Sequence, residues 1–213
     1  GDQLTAESNV EITAEQTLYA HWTARTYSVM LDVNGGDAVD SSMVDVVFDA
    51  AYPELPEPTR AGYTFAGWRL ITGAGSTDIT AGTQVSFAGD HTLTAIWTAN
   101  TYSVAMDVNG GSPLEPATIS VTYDEVFSNL PTPIWTGRTF LGWYTEAENG
   151  ELVNGETVVK ITDNTSTLYA HWQTNVYTVL LNANGGTAAE GAETSVSKTY
   201  ATAAALPMSG YTR

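Results

Sequence analysis

The stretch Tyr27-Ser28-Val29-Met30-Leu31-Asp32-Val33-Asn34-Gly35-Gly36 decides how the chain is read. It returns 75 residues later as Tyr102-Ser103-Val104-Ala105-Met106-Asp107-Val108-Asn109-Gly110-Gly111, and again from Tyr177 to Asn184-Gly185-Gly186. Its larger apolar side chains fall at every second position, with Ser28 and Asp32 opposite, which is the pattern of a half-buried strand. Asn-Gly is the favoured pair for a two-residue hairpin turn, because both central residues need positive φ, and the second glycine suits an adjoining bulge. Val44 to Phe48 is expected to return as a second strand.

Working outward, Asp49-Ala50-Ala51-Tyr52 predicts a short helical turn under an Asp cap, closed by Pro53, Pro56 and Pro58. Tyr63 to Trp68 reads as a third strand, with Gly67 leaving room for a close approach. A Gly/Thr/Asp-rich loop runs to about Gly82. Thr92 to Trp97 reads as a fourth strand, with Leu93, Ala95 and Trp97 on one face. Trp22, Trp97 and Trp172 keep the same interval, as do Gly67-Trp68 and Gly142-Trp143. A period this long makes each copy a small domain and the chain an array.

The expected divisions are 1–24 (the last part of a preceding copy), 25–99 and 100–174 (full copies), and 175–213 (the first half of a following copy). The chain then reads as a fragment, and Gly1-Asp2-Gln3-Leu4 does not resemble a signal peptide. Four residues separate each repeated Trp from the next repeated Tyr. So short a spacer limits swinging and predicts a semi-rigid rod. Incomplete copies at both ends predict open strand edges, and hence head-to-tail self-association between molecules.

Composition narrows the functions. The 213 residues carry 7 basic and 24 acidic side chains, a formal charge of −17, which repels phosphate backbones and excludes nucleic acid as a natural partner. No apolar run approaches the ~20 residues of a membrane span, so no membrane insertion is expected of this segment. With no cysteine, any module must rely on its apolar core.

Aligning 25–99 with 100–174 gives 24 identities, nearly all apolar, aromatic, Gly, Pro, Ser or Thr. Among charged residues only Asp32/Asp107 and Asp49/Asp124 coincide, so no acid/base constellation recurs and catalysis is not expected. Asp32 to Asp37 lacks the ligand run and distal Glu of a calcium loop. His21 and His171 align with Ile96, which is no metal-ligand pattern, so neither metal nor cofactor is expected. The repeated tryptophans read as core rather than as sugar platforms. Lys160 and Lys198 do not align, which leaves no repeated Lys–Asn cross-link, and the Asn164-Thr165-Ser166 sequon carries no reading.

Two residues stand out from the repeat. Trp135 lies in a Pro/Thr/Gly loop at the position of Arg60, and Arg138 replaces Tyr63. Trp135 reads equally well as a contact residue for a partner and as filler for the space left by the lost tyrosine. Trp135 and Arg138 are therefore the candidate binding residues.

The matching set is Tyr27, Val29, Asn34-Gly35-Gly36, Leu55-Pro56, Pro58, Gly62-Tyr63-Thr64-Phe65, Gly67-Trp68 and Thr167-Leu168-Tyr169-Ala170-His171-Trp172. Together it resembles the Listeria–Bacteroides repeat, the B repeat of internalin-type surface proteins. The resemblance covers essentially the whole chain. It implies α+β, β-rich, ubiquitin-like β-grasp modules in tandem on secreted or cell-wall-attached bacterial proteins, without catalytic residues. Copy three departs from it, running Leu206-Pro207-Met208-Ser209-Gly210-Tyr211 and stopping before any Gly-Trp.

Three functions fit. The first is a spacer that holds another domain off the envelope, with or without adhesion of its own. The second is a recognition module for an extracellular protein, its specificity residing at Trp135 and in the loop from Glu146 to Gly155. The third is an accessory array of an extracellular hydrolase.

Overall fold

The computed structural model describes residues 5, 7–9, 15, 17–203 and 211–212. The chain divides into two compact units. One comprises Gly1–Asn34, Ala38–Glu57 and Gly67–Ala95, the other Gly35–Asp37, Pro58–Ala66 and Ile96–Arg213.

The first sheet contains β1 (Thr26–Asp32), β2 (Met43–Val47), β3 (Tyr63–Thr72), β4 (Gly75–Ile79) and β5 (His91–Ala99), in the order β2-β1-β5-β3-β4. β1 runs antiparallel to β2, Tyr27 facing Val46, and parallel to β5, Leu31 facing Leu93. β4 pairs antiparallel with β3, where a loop is expected from sequence. Its Ser76-Thr77-Asp78 side is solvent-exposed, which leaves little apolar alternation to betray a strand.

The second sheet repeats the order with β6 (Thr101–Asp107), β7 (Thr118–Thr122), β8 (Arg138–Tyr144), β9 (Leu152–Val153) and β10 (Thr167–Thr174), as β7-β6-β10-β8-β9. Beyond it, β11 (Val176–Leu180) pairs antiparallel with β13 (Ser195–Thr199), and β12 (Thr187–Ala188) with β14 (Tyr211–Thr212). The Leu206 to Gly210 stretch of copy three lies outside the described residues.

Alternation places one face of each sheet inward, and the two cores correspond residue for residue. Val29, Leu31, Val46, Tyr52, Trp68, Ile79, Val85, Leu93 and Ala95 are buried in the first. Val104, Met106, Val121, Phe127, Trp143, Val153, Val159, Leu168 and Ala170 are buried in the second. Each Gly-Trp indole also donates to a proline carbonyl, Trp68 to Pro56 at 2.8 Å and Trp143 to Pro131 at 2.7 Å. The proline-rich segment thus acts as a lid whose carbonyls satisfy the buried N–H.

The α+β class is overturned: among the described residues there is no helix, and the chain is all-β with tandem sheets. The helical turn expected after Asp49 does not form because its amides are bonded elsewhere. The N–H groups of Asp49 and Tyr52 donate to the carbonyls of Val85 and Thr83, and Val85 returns a bond to Ala50. Asp49 itself takes a left-handed φ of 64°, and Asp124 repeats both the angle and the pairing with Val159. A residue in that region cannot start a right-handed helix.

The Asn-Gly turns form with positive φ at both positions, 48° and 82° at Asn34-Gly35 and 47° and 92° at Asn109-Gly110. They do not close a two-residue hairpin, since β1 ends at Asp32 and β2 starts at Met43. The Asn34 side chain instead donates to the carbonyl of Ala95 at 3.0 Å, pinning the turn to β5. The second glycine makes no bulge. A Cβ on Gly36 would strike the Trp97 indole, and one on Gly111 the Trp172 indole. Gly67, by contrast, has nothing within 4 Å of its Cβ position, so the close approach expected there is absent and its φ of 126° is what demands glycine.

Candidate functional site

Trp135 and Arg138 lie together. The Arg138 guanidinium sits 4.0 Å from the centre of the Trp135 ring, and Trp135 meets Trp172 edge-on at 5.6 Å. The indole covers Gly110, where a Cβ would come within 2.6 Å of it. In the first sheet Arg60 covers Gly35, its guanidinium 3.9 Å from the Tyr63 ring and 6.0 Å from that of Trp97. Cation and ring have therefore exchanged places between equivalent positions, and the stack survives. Such a pair is worth ~0.5–1 kcal/mol when exposed. Trp135 takes the place of Arg60 over the turn, and Ile134 beside it is 72% exposed.

The polar residues that recur are engaged in the fold. Asp32 and Asp107 accept the amides of Asn34 and Asn109 at 2.9 and 2.8 Å, and Asn182 does the same for Asn184. The side chain of Asp therefore shapes the turn. His91 contacts the Tyr52 hydroxyl at 2.6 Å, and His171 stacks on Tyr144 at 3.9 Å and reaches the Glu146 carbonyl. Within the Glu146 to Gly155 loop, Glu151 exchanges hydrogen bonds with Thr145. Among the described residues no group of three or more His, Asp or Glu could hold a metal ion.

The second unit contains a cluster that sequence reading missed. Gly62 lies flat on the Tyr123 ring, with no room for a Cβ. Asn100 bridges the two, its N–H donating to the Gly62 carbonyl at 2.9 Å and its carbonyl accepting the Tyr123 N–H at 2.9 Å. The Thr64 hydroxyl donates to the Asn100 side-chain oxygen at 2.6 Å. Tyr63 meets Tyr123 edge-on at 5.5 Å and donates its hydroxyl to Asp124, which is also paired with Lys160.

These contacts set the electrostatics. The hydrogen bond from Lys160, then that from Tyr63, hold the Asp124 carboxyl below its ordinary range. The bond to Asp124 pushes Lys160 and Tyr63 upward in turn.

Gly137, Thr139, Asn175 and Tyr200 reproduce the cluster. Asn175 donates to Gly137 at 2.9 Å and accepts from Tyr200 at 2.9 Å, and Thr139 donates to Asn175 at 2.7 Å. A signal existed in the sequence: Gly62/Gly137, Thr64/Thr139 and Asn100/Asn175 all keep the period. Tyr123 and Tyr200 are displaced from it by two residues, which hides the fourth member.

The five repeated tryptophans fall into three groups. Trp68 and Trp143 are fully buried, whereas Trp97 and Trp172 are half-buried. Trp22 is 91% exposed and lies in no strand, contrary to the core packing expected of it.

Residues 27–96 and 102–171 each match the family model described as the Listeria-Bacteroides repeat domain. Two Evansella cellulosilytica proteins bearing membrane-protein names are similar. One is 33% identical across 81% of this chain and 25% of the relative; the other, a Gly-rich one, is 32% identical across 80% and 19%. Internalin H of Listeria monocytogenes is 32% identical across 70% of this chain and 25% of its own length. The chain therefore spans a quarter or less of the relatives it matches. Among the described residues no helix is long and apolar enough to cross a membrane.

Proposed function

Because the chain belongs to the Listeria-Bacteroides repeat domain family, we propose that it serves as a structural spacer on a bacterial surface protein and performs no catalysis. The observation that carries this reading is the pair of equivalent cores. Among the described residues the recurring side chains go into packing, turn closure and the Gly–Asn–Tyr clusters, which supports a structural role. Internalin H supports a surface location. The charge of −17 would keep neighbouring copies on one envelope apart.

The test is to replace residues 100–174 by a second copy of 25–99 in the full-length protein displayed on its cell. A spacer keeps the activity of the parent protein and the accessibility of its distal domain. Loss of cell attachment with a folded array would overturn the reading and favour recognition of an extracellular protein. Ile134, exposed beside the Arg138–Trp135 stack, is the observation behind that alternative. Ile134→Ser, which leaves the stack in place, would then reproduce the loss.

A further inference from the structure

Two tyrosines of the second unit each carry a glycine flat on the ring, Gly62 on Tyr123 and Gly137 on Tyr200. Each pair is closed by the backbone of the asparagine that precedes the next strand, Asn100 or Asn175. The same receiving surface occurs a third time, within the first unit. Phe48 stands at the Tyr123 position, and its N–H donates to the Arg25 carbonyl at 2.9 Å as that of Tyr123 does to Asn100. Asp49 repeats the 64° φ of Asp124. No described glycine turns its Cβ side onto Phe48. The ring instead borders an open cleft of about 380 Å³ lined by Trp22, Ala24, Arg25, Tyr27 and Asp49.

We propose that this cleft is the receiving half of a joint. Its occupant is the counterpart of Gly62-Tyr63-Thr64 from another repeat of this family, immediately upstream in the same polypeptide. The occupant must present a bare glycine face, because in both filled examples a Cβ would enter the ring. The residue after that glycine is selected by charge. Tyr63 gives its hydroxyl to Asp124, and Asp49 offers a carboxylate in the same backbone conformation, without a side-chain partner among the described residues. A tyrosine or an arginine at that place suits it. Where Arg138 follows Gly137, the left-handed residue opposite is Ala201, at φ 56°, so the carboxylate is not a fixed part of every joint. Arg25, in place of asparagine, makes one of the two backbone bonds by accepting from Phe48, leaves its own N–H for the occupant's glycine carbonyl, and lacks the side-chain oxygen that takes the Thr hydroxyl. The two loops of this kind among the described residues, Gly62-Tyr63-Thr64 and Gly137-Arg138-Thr139, are already seated, so neither supplies the occupant; Gly210 of the third Gly-Tyr-Thr, Gly210-Tyr211-Thr212, lies outside the described residues. The inference stands apart from the spacer reading, since an adhesive array could be jointed in the same way.

The test extends the whole chain by a second copy of residues 25–99 placed directly before Arg25, and follows amide hydrogen exchange. Seating of the inserted Gly62 counterpart gives the Arg25 N–H a carbonyl partner, as Asn100 has. The expected result is at least roughly ten-fold slower exchange at Arg25 than in the unextended chain, with Asn100 slow in both. Gly→Ala at the inserted glycine alone should abolish that protection and leave Asn100 unchanged. Equal Arg25 exchange in extended and unextended chains overturns the proposal. Protection that survives the Gly→Ala change overturns the glycine-on-ring assignment. Should the insertion disturb folding, seen as lost Asn100 protection, residues 100–174 placed before Arg25 present Gly137 instead and are judged by the same two outcomes.

Discussion

Thr17-Leu18-Tyr19-Ala20-His21-Trp22 and Thr167-Leu168-Tyr169-Ala170-His171-Trp172 are the same six residues in two different states. The second copy lies in β10, with β6 parallel on one side and β8 antiparallel on the other. Leu168 is 3% exposed there and Ala170 not at all. The first copy belongs to no strand, with Leu18 73%, Tyr19 81% and Trp22 91% exposed. Intrinsic preference is identical, so the difference comes entirely from the neighbours. A β-strand of this composition is a surface that fits between two others, and it has little tendency to form alone.

The tryptophans carry the largest expected difference between the two copies. Trp143→Ala removes the largest fully buried side chain and is expected to cost about 3–5 kcal/mol. A domain of this size has roughly 4–11 kcal/mol in total, so the second sheet should melt separately and at much lower temperature by calorimetry. Trp22→Ala, in exposed chain, should change the unfolding curve by less than about 0.5 kcal/mol. Equal effects would mean that exposure does not govern these positions. One step smaller, Leu168→Ala is expected to cost ~2–5 kcal/mol and Leu18→Ala within about 0.5 kcal/mol, measured by denaturant titration. That pair changes the same residue in the same local sequence and isolates the neighbours.

The same contrast explains what could be read from the sequence. β1, β2 and β5 announce themselves by alternation around Val29, Val46 and Leu93, because one face of each meets a core. β4 does not, since only Ile79 of its five residues is buried. The false helical turn at Asp49 came from reading a cap residue by type. Its left-handed φ, and amides already bonded to Thr83 and Val85, depend on chain more than thirty residues away. At the candidate site, Trp135 and Arg138 were visible as departures from the repeat. That each compensates the other appears only when Arg60 is seen stacked on Tyr63. The Gly–Asn–Tyr clusters were hidden because their members lie far apart in sequence and none carries unusual chemistry.

Two glycines differ by a smaller energy. Gly62 and Gly185 hold nearly equal angles, φ 79° and 82°, but Gly62 lies on Tyr123 while Gly185 has nothing within 4 Å of its Cβ position. Gly185→Ala is expected to cost about 1–2 kcal/mol for the left-handed backbone alone. Gly62→Ala should cost more, and should also speed exchange of the Asn100 N–H, whose acceptor is the Gly62 carbonyl. Equal losses at the two sites would show that the ring is not a real constraint.

The smallest effect expected is electrostatic and is separable by pH. Asp124 lies below its ordinary value of 3.8 because Lys160, and then Tyr63, hydrogen-bond its charged form. Its contribution to stability is therefore present above pH ~4 and lost as pH falls through the lowered folded value. Lys160 and Tyr63 lie above 10.5 and 10.0, so their share is present below those values and lost as pH rises through the raised ones. Asp124 and Lys160 are solvent-exposed and Tyr63 is half-buried, so the effect is small and weakens with salt. Asp124→Asn is the right probe, because Asn tolerates the left-handed φ of 64° and only the charge is removed. The melting temperature of the variant should lie below that of the parent from pH 5 to 9, and the two should converge toward pH 2. A gap that persists undiminished at pH 2 would assign the role of Asp124 to its turn and not to its charge. The cluster at Tyr123 would then depend on the glycine face, the asparagine backbone and the Thr–Asn hydrogen bond without a carboxylate's charge, as the one at Tyr200 does with Ala201 in the aspartate's place.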